Sequence, residues 1–142
     1  MGGLLILMTV VASTLLWADL SNVYIWIVII VTVSFGLIGW IDDYRKVKEK
    51  NSKGLSSRGK MLGQTAAAAL VIWLLYYVIR LETNLYVPFV RTLSPDLGWF
   101  YIPLAWVVMV GTSNAVNLTD GLDGLAIGPI ISTAMTFGIL SY

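Results

Sequence analysis

Long uncharged, mostly apolar runs alternate with short polar segments along the whole chain. Each run is close to the length of about 20 residues that an α-helix needs to cross a bilayer. In lipid, a spanning segment has to pair its backbone groups internally, and a helix does so. The pattern therefore predicts an all-α membrane protein, a polytopic bundle of about five transmembrane helices at residues 2–18, 21–41, 61–79, 98–113 and 124–142.

The fourth run is the least regular. Its strongly apolar part, residues 99–110, is short for a span and contains Pro103. Length alone also permits a re-entrant segment. We interpret the run as a span because the next apolar run needs a polar connection on a defined side. In the polar segment before it, residues 85–90 fit either a short strand or an interfacial segment.

Positive charge is concentrated in residues 42–60. Seven of the nine Lys and Arg residues lie there: Arg45, Lys46, Lys48, Lys50, Lys53, Arg58 and Lys60. Short basic loops stay in the cytoplasm, and contact with anionic lipid explains most of these charges. Counting crossings from this cytoplasmic loop predicts a second cytoplasmic loop at residues 114–123 and a periplasmic loop at residues 80–97.

The composition narrows the available chemistry. Charged residues make up 12% of the chain, against about 25% in soluble domains. The chain has no Cys and no His, which excludes disulfides, thiolate metal sites and histidine acid–base catalysis. Catalysis would therefore use Asp, Glu, Lys or a metal held by oxygen ligands. A net charge of +1 does not distinguish classes of partner, and no nucleic-acid partner is expected.

A polar stretch, N-A-V-N-L-T-D-G-L-D-G-L-A at residues 114–126, lies between two apolar runs. Asp120 and Asp123 are three residues apart, so they share one face if the turn is helical. Such a stretch fits a metal, the metal of a bound phosphate, or a polar head group. The alternative is a polar turn with Asp120 as a helix N-cap.

A second pair of carboxylates, Asp42 and Asp43, follows the second run. Together with Asp120 and Asp123 it puts four carboxylates at one predicted face, which suggests a site for a polyphosphate and a divalent cation. Adjacent helical residues point about 100° apart, however, so both need not face one ligand. The alternative is a helix end whose acids face water, and the spacing supports both interpretations equally.

Three separate motifs resemble one family, the phospho-N-acetylmuramoyl-pentapeptide-transferases of the polyprenyl-phosphate N-acetylhexosamine-1-phosphate transferase superfamily. They are G-W-I-D-D-Y-R-K at residues 39–46, N-S-K-G-L-S-S-R-G-K-M-L-G-Q at residues 51–64, and the stretch at residues 114–126. The opening Met1-Gly2-Gly3 resembles the end of the family's T-P-T-M-G-G motif.

The resemblance implies a reaction. Phospho-MurNAc-pentapeptide is transferred from UDP-MurNAc-pentapeptide to undecaprenyl phosphate, giving lipid I and UMP in peptidoglycan biosynthesis, with Mg²⁺ as cofactor. It also implies a multi-pass protein of the bacterial inner membrane with a cytoplasmic active face. The expected partners are both substrates and the bilayer, with a homodimer as a further expectation.

The resemblance assigns roles to seven residues. Asp42 and Asp43 match the catalytic aspartate pair, one of them acting as base or nucleophile, and they are also expected metal ligands. The expected substrate-binding residues are Lys60 toward phosphate, Asp120 toward uracil, and Asn114, Asn117 and Asp123 beside it.

The chain also departs from this family. The family has about ten spans against about five here, and its Lys before T-P-T-M-G-G, its M-G-D-x-G-S motif with the main Mg²⁺ ligand, and its His-rich loop are absent. We therefore expect the central part of such an enzyme, inactive alone.

Two other functions remain open. One is a UDP-GlcNAc:undecaprenyl-phosphate GlcNAc-1-phosphate transferase, although Thr119 and the G-L-S-S-R-G-K-M-L-G-Q run favour the first family. The other is a non-catalytic membrane scaffold or binding fragment.

Overall fold

The structure is a computed structural model that describes residues 2–48, 54–86, 94–120 and 125–141. Within these ranges the chain forms helices and no extended strand, which confirms the predicted all-α class. The helices are α1 (Gly2–Trp17), α2 (Val23–Lys48), α3 (Ser57–Trp73), α4 (Tyr101–Thr119) and α5 (Ile127–Leu140). α3 continues as a π-helix over Leu74–Val78, and a 3-10 turn at Gly98–Phe100 leads into α4.

The helices follow the predicted apolar runs. Among the described residues, three helical stretches are long and apolar enough to cross a membrane: Val23–Lys48, Ser57–Val78 and Gly98–Thr119. α1 and α5 are shorter apolar helices. The pattern is that of a multi-pass membrane protein.

Two helices extend further than the sequence predicted. α2 continues past residue 41 to Lys48, and Arg45, Lys46 and Lys48 occupy its last turn. Basic side chains there interact favourably with the negative end of the helix dipole, which explains why a charged segment remains helical. α4 likewise continues to Thr119, so residues 114–119 are helical rather than part of a loop. The hydroxyl of Thr119 donates to the carbonyl of Ala115 at 2.9 Å within this last turn.

The chain divides into two compact units, Met1–Val110 and Gly111–Tyr142. In the first unit, Ala68, Ile72 and Val110 are buried together, and Phe35, Ile102 and Trp106 are among the partly buried residues packed against them. Gln64 of α3 is only 2% exposed, as expected for a polar side chain in a span. The Trp106 indole donates to the Thr65 hydroxyl at 3.3 Å, which links α4 to α3.

Asp96 holds the connection before α4 together by accepting two hydrogen bonds. Its carboxylate accepts hydrogen bonds from the Thr83 hydroxyl and from the Gly98 amide, the latter at 2.9 Å. These two bonds, the Thr83 bond first, hold the pKa of Asp96 below its ordinary value. The Leu85 amide donates to the Pro95 carbonyl at 2.9 Å, beside an isolated antiparallel bridge. Residues 87–90 of the segment predicted as strand or interfacial lie outside the described residues.

In the second unit, the structure contradicts the interpretation of Asp120 as a helix N-cap. Asp120 directly follows the C-terminal end of α4, and its amide donates to the Val116 carbonyl at 2.9 Å. The residue that precedes the next helix, α5, is Ala126, whose side chain makes no capping bond. The N-cap interpretation was therefore wrong, because a chain of i to i−4 bonds runs up to Asp120.

Candidate active site

The aspartate pair lies in the polar end of α2, and its two members have different surroundings. Asp42 is buried, with 8% of the residue exposed, whereas the side chain of Asp43 is 73% exposed. Successive helical positions diverge by about 100°, which places one carboxylate against the protein and the other outward. The interpretation of a helix end whose acids face water therefore fits Asp43 but not Asp42.

The Asp42 carboxylate is held on both oxygens. Its Oδ1 accepts a hydrogen bond from the Leu55 amide at 2.7 Å, and its Oδ2 lies 2.7 Å from the Lys46 ammonium. The same ammonium lies 3.3 Å from Oδ1 of Asp43. One cation therefore contacts both carboxylates, because residues three and four positions apart share a helix face.

The segment that reaches Asp42 also starts α3. The Ser56 side chain accepts a hydrogen bond from the Gly59 amide and caps the helix. Lys60 lies in the first turn of α3, where its amide donates to the Ser56 carbonyl at 2.9 Å. The Asp42 carboxylate therefore bonds to the segment that leads into α3, and the first turn of α3 carries Lys60.

Aromatic side chains flank the pair on α2. The Trp40 and Tyr44 rings stack with centroids 5.3 Å apart, and the Lys48 ammonium lies 5.9 Å from the Tyr44 ring centroid. The Trp40 indole Nε1 is buried and makes no hydrogen bond within the part of the chain that the structure describes. The spacing of four residues between Trp40 and Tyr44 was the sequence signal for this contact.

The donor set fits part of a magnesium site. Mg²⁺ commonly binds through one or two carboxylates together with substrate phosphates. Asp42 and Asp43 supply two carboxylates, and the Lys46 ammonium contacts both of them. No group of three or more acidic, His or Cys side chains occurs among residues 2–48, 54–86, 94–120 and 125–141.

The second predicted set belongs to the unit Gly111–Tyr142 and is described by itself. Asn114 is half-buried on α4, Asn117 is exposed on the same helix, and Asp120 is exposed directly after it. The C-terminal end of a helix carries partial negative charge, and the Asp120 carboxylate adds to it. This end therefore suits a cation or the N–H donors of a base. Asp123 lies outside the described residues.

Sequence reasoning missed three contributors to the first set. In the sequence, Lys46 is one of seven basic residues in its segment, and only its spacing of four from Asp42 indicates an ion pair. Gly54 and Leu55 stand in the motif at residues 51–64, but nothing in the sequence assigns either of them a contact with Asp42. A contact from a backbone amide thirteen positions away leaves no signal in residue type.

Comparison with known proteins identifies the family. The sequence profile of glycosyl transferase family 4 matches residues 25–142. The chain is 51% identical to a protein of Maridesulfovibrio salexigens, 54% to one of Pelobacter propionicus and 53% to one of a Geobacter species, each named phospho-N-acetylmuramoyl-pentapeptide-transferase. Each match covers 100% of this chain and 40% of the relative's length. The chain belongs to glycosyl transferase family 4.

Proposed function

We propose that this chain forms part of the catalytic site of a phospho-N-acetylmuramoyl-pentapeptide-transferase. The enzyme moves phospho-MurNAc-pentapeptide from UDP-MurNAc-pentapeptide to undecaprenyl phosphate at the cytoplasmic face of a bacterial inner membrane. The observation that carries this proposal is the identity of 51% and 54%, over all 142 residues, to relatives that bear this enzyme's name.

The geometry of the first unit supports the same reaction. Asp42, Asp43 and Lys46 lie in the polar end of α2, and Lys60 lies in the first turn of α3. α2, and α3 together with its continuation to Val78, are long and apolar enough to cross a membrane. A lipid phosphate stays at the interface because its chain is apolar and its head is charged. Charged residues at helix ends are therefore where it meets a soluble nucleotide sugar.

The chemistry needs charge compensation more than a strong base. A phosphate monoester with a second pKa near 6 is mostly dianionic at neutral pH, so we favour direct attack. An oxygen of the lipid phosphate bonds to the phosphorus that carries the sugar, and the bond from that phosphorus to the bridging oxygen breaks, releasing UMP. Both reactants are anions, and positive groups held near them lower the barrier. Lys60 is the cation of this chain that we assign to the phosphates.

We also propose Mg²⁺ as cofactor, held in part by Asp42 and Asp43. When bound, Mg²⁺ would supply positive charge that offsets the charge of the phosphates. Asp43 offers its exposed carboxylate for this purpose, while Asp42 is already bonded to the Leu55 amide and Lys46. On the nucleotide side, we assign Asp120 to the uracil, with Asn114, Asn117 and Asp123 beside it.

A chimera tests this proposal. The chain replaces the 142 aligned residues of the Maridesulfovibrio salexigens relative, and UMP release is measured in detergent with undecaprenyl phosphate, UDP-MurNAc-pentapeptide and Mg²⁺. We expect activity that falls about 10²-fold or more in Asp42→Asn and in Asp43→Asn, because each removes a carboxylate that we propose as a ligand of Mg²⁺ and so weakens the positive charge held at the reacting phosphates. Asp19→Asn is the matched control, since Asp19 is exposed and bonds locally to Ser21.

The same assay separates the other functions. Release of UMP from UDP-GlcNAc, and not from UDP-MurNAc-pentapeptide, would identify a GlcNAc-1-phosphate transferase. Binding of UDP-MurNAc-pentapeptide without turnover in the chimera would support a binding fragment. Activity that does not depend on Mg²⁺ would contradict the metal proposal while leaving the transfer reaction in place.

A further inference from the structure

The two oxygens of the Asp42 carboxylate are held by groups from different parts of the chain. Lys46 comes from the same helix, four residues away, and contacts Oδ2 at 2.7 Å. The Leu55 amide comes from the segment before α3 and donates to Oδ1 at 2.7 Å. A carboxylate with a donor on each oxygen has a fixed orientation, because rotation of the side chain would break one bond or the other.

Gly54 is what lets the Leu55 amide reach Asp42. Its φ is +51°, a left-handed backbone conformation that residues other than glycine rarely adopt. A Cβ at this position would lie 2.5 Å from Oδ1 of Asp42 and 2.8 Å from Cε of Lys46. Residue 54 is therefore restricted twice, by backbone conformation and by contact with the two charged side chains themselves.

We propose that Gly54 is a positioning residue that acts through Asp42. The turn formed by Gly54 and Leu55, which we call the glycine turn, fixes the Asp42 carboxylate and Lys46, and thereby sets the charge that faces the phosphates. This inference rests on the proposed transfer reaction. It assigns a function in the reaction to a residue that carries no chemistry of its own.

Kinetics of the chimera test the glycine turn. In Gly54→Ala we expect kcat to fall about 10²-fold, the effect of moving a reacting group by about 1 Å. The KM for UDP-MurNAc-pentapeptide should change by less than about twofold, because the nucleotide contacts are made elsewhere. The matched control is Gly98→Ala. Gly98 also has a left-handed φ, +48°, but a Cβ there meets nothing within 4 Å.

A second substitution separates the two restrictions on residue 54. Asn adopts left-handed φ more readily than other non-glycine residues, so Gly54→Asn relieves much of the backbone strain but keeps the Cβ against Oδ1 of Asp42. We expect Gly54→Asn to be as inactive as Gly54→Ala. Recovery of activity in Gly54→Asn, or an equal loss in Gly98→Ala, would mean that backbone strain alone is responsible and would overturn the proposal.

Amide hydrogen exchange of Leu55, measured on the chain in detergent, tests the contact independently of activity. We expect its protection to be lost in Gly54→Ala and in Asp42→Ala, and to remain in Gly98→Ala and Asp43→Ala. Equal exchange in all five proteins, the unsubstituted chain included, would contradict the contact between the Leu55 amide and Asp42 and would overturn the proposal. If protection follows this pattern but the unsubstituted chimera is inactive, the transfer reaction fails and the catalytic part of this inference fails with it, while the contact stands.

Discussion

At the scale of single residues, the two adjacent aspartates have different environments. Asp42 is buried and bonded on both oxygens, and Asp43 is 73% exposed in its side chain. The difference follows from their divergence of about 100° on the helix and from the presence of Leu55 on one side only. Lys46 contacts both carboxylates, so it offsets the repulsion between them.

Removal of Lys46 tests this arrangement. In Lys46→Met we expect the free energy of unfolding to fall by about 1–2 kcal/mol, because Asp42 keeps its charge and loses one of its two donors. The Lys46 side chain is 40% exposed, which is why the expected cost is below that of a fully buried pair. Unfolding by a denaturing detergent measures the change.

Lys48→Met serves as the control for the loss of one positive charge from the same helix end. Lys48 contacts the Tyr44 ring at 5.9 Å, a weak exposed interaction worth about 0.5–1 kcal/mol. An equal loss of stability in the two variants would show that Lys46 contributes only general charge.

The sequence motifs single out Asp42, Asp43 and Lys60 as candidate residues, but they do not distinguish the environments of the two aspartates. The motif identified the residue types, and the spacing of four from Asp42 to Lys46 was visible. Burial of Asp42 depends instead on the Leu55 amide thirteen positions later and on a left-handed φ at Gly54. Residue patterns carry periodicity within one element, and they do not show how a following segment folds back on it.

At the scale of elements, the helices extend into polar segments, and polar side chains stabilise the connection before α4. α2 and α4 each continue beyond the apolar run that predicts them. Hydropathy marks the apolar part of a helix, whereas the helix itself ends where its backbone bonds and its capping interactions end. Before α4, the connection is closed by Asp96, which accepts hydrogen bonds from Thr83 and Gly98.

The Asp96 contacts predict a pH dependence in this connection. The pKa of Asp96 is lowered from its ordinary value of 3.8, first by the Thr83 hydroxyl and then by the Gly98 amide. Because the pKa is lower in the folded chain, the carboxylate stabilises this connection at pH values above its ordinary pKa. This stabilisation is lost as the pH falls through the lowered pKa of Asp96. The Gly98 amide resonance should therefore titrate with a midpoint below 3.8.

Two variants check the cause of that shift. Thr83→Val removes the larger contribution and should raise the midpoint toward the ordinary value, and Asp96→Asn should abolish the titration. A midpoint unchanged in Thr83→Val would contradict the assignment of the hydroxyl as the main cause.

At the scale of the whole molecule, the orientation in the membrane is the prediction with the most consequence for function. The basic residues at the end of α2 and beyond it predict that residues 42–60 face the cytoplasm, where a nucleotide sugar is available. Counting crossings puts the α1–α2 connection, with Ser21, and the segment that contains Ser94 on the opposite side. If the orientation were reversed, the aspartate pair could not meet a cytoplasmic substrate.

The absence of Cys from the chain makes this orientation directly measurable. Single substitutions Lys48→Cys, Ser21→Cys and Ser94→Cys place a thiol at exposed positions. In spheroplasts, a membrane-impermeant maleimide should label Ser21→Cys and Ser94→Cys at once and Lys48→Cys only after permeabilisation. The reverse pattern would place the carboxylates of α2 outside and remove the nucleotide sugar as substrate. Labelling of Ser21→Cys but not Ser94→Cys would instead show that α2 crosses the membrane and α3 does not. In that case α3 would be a re-entrant segment.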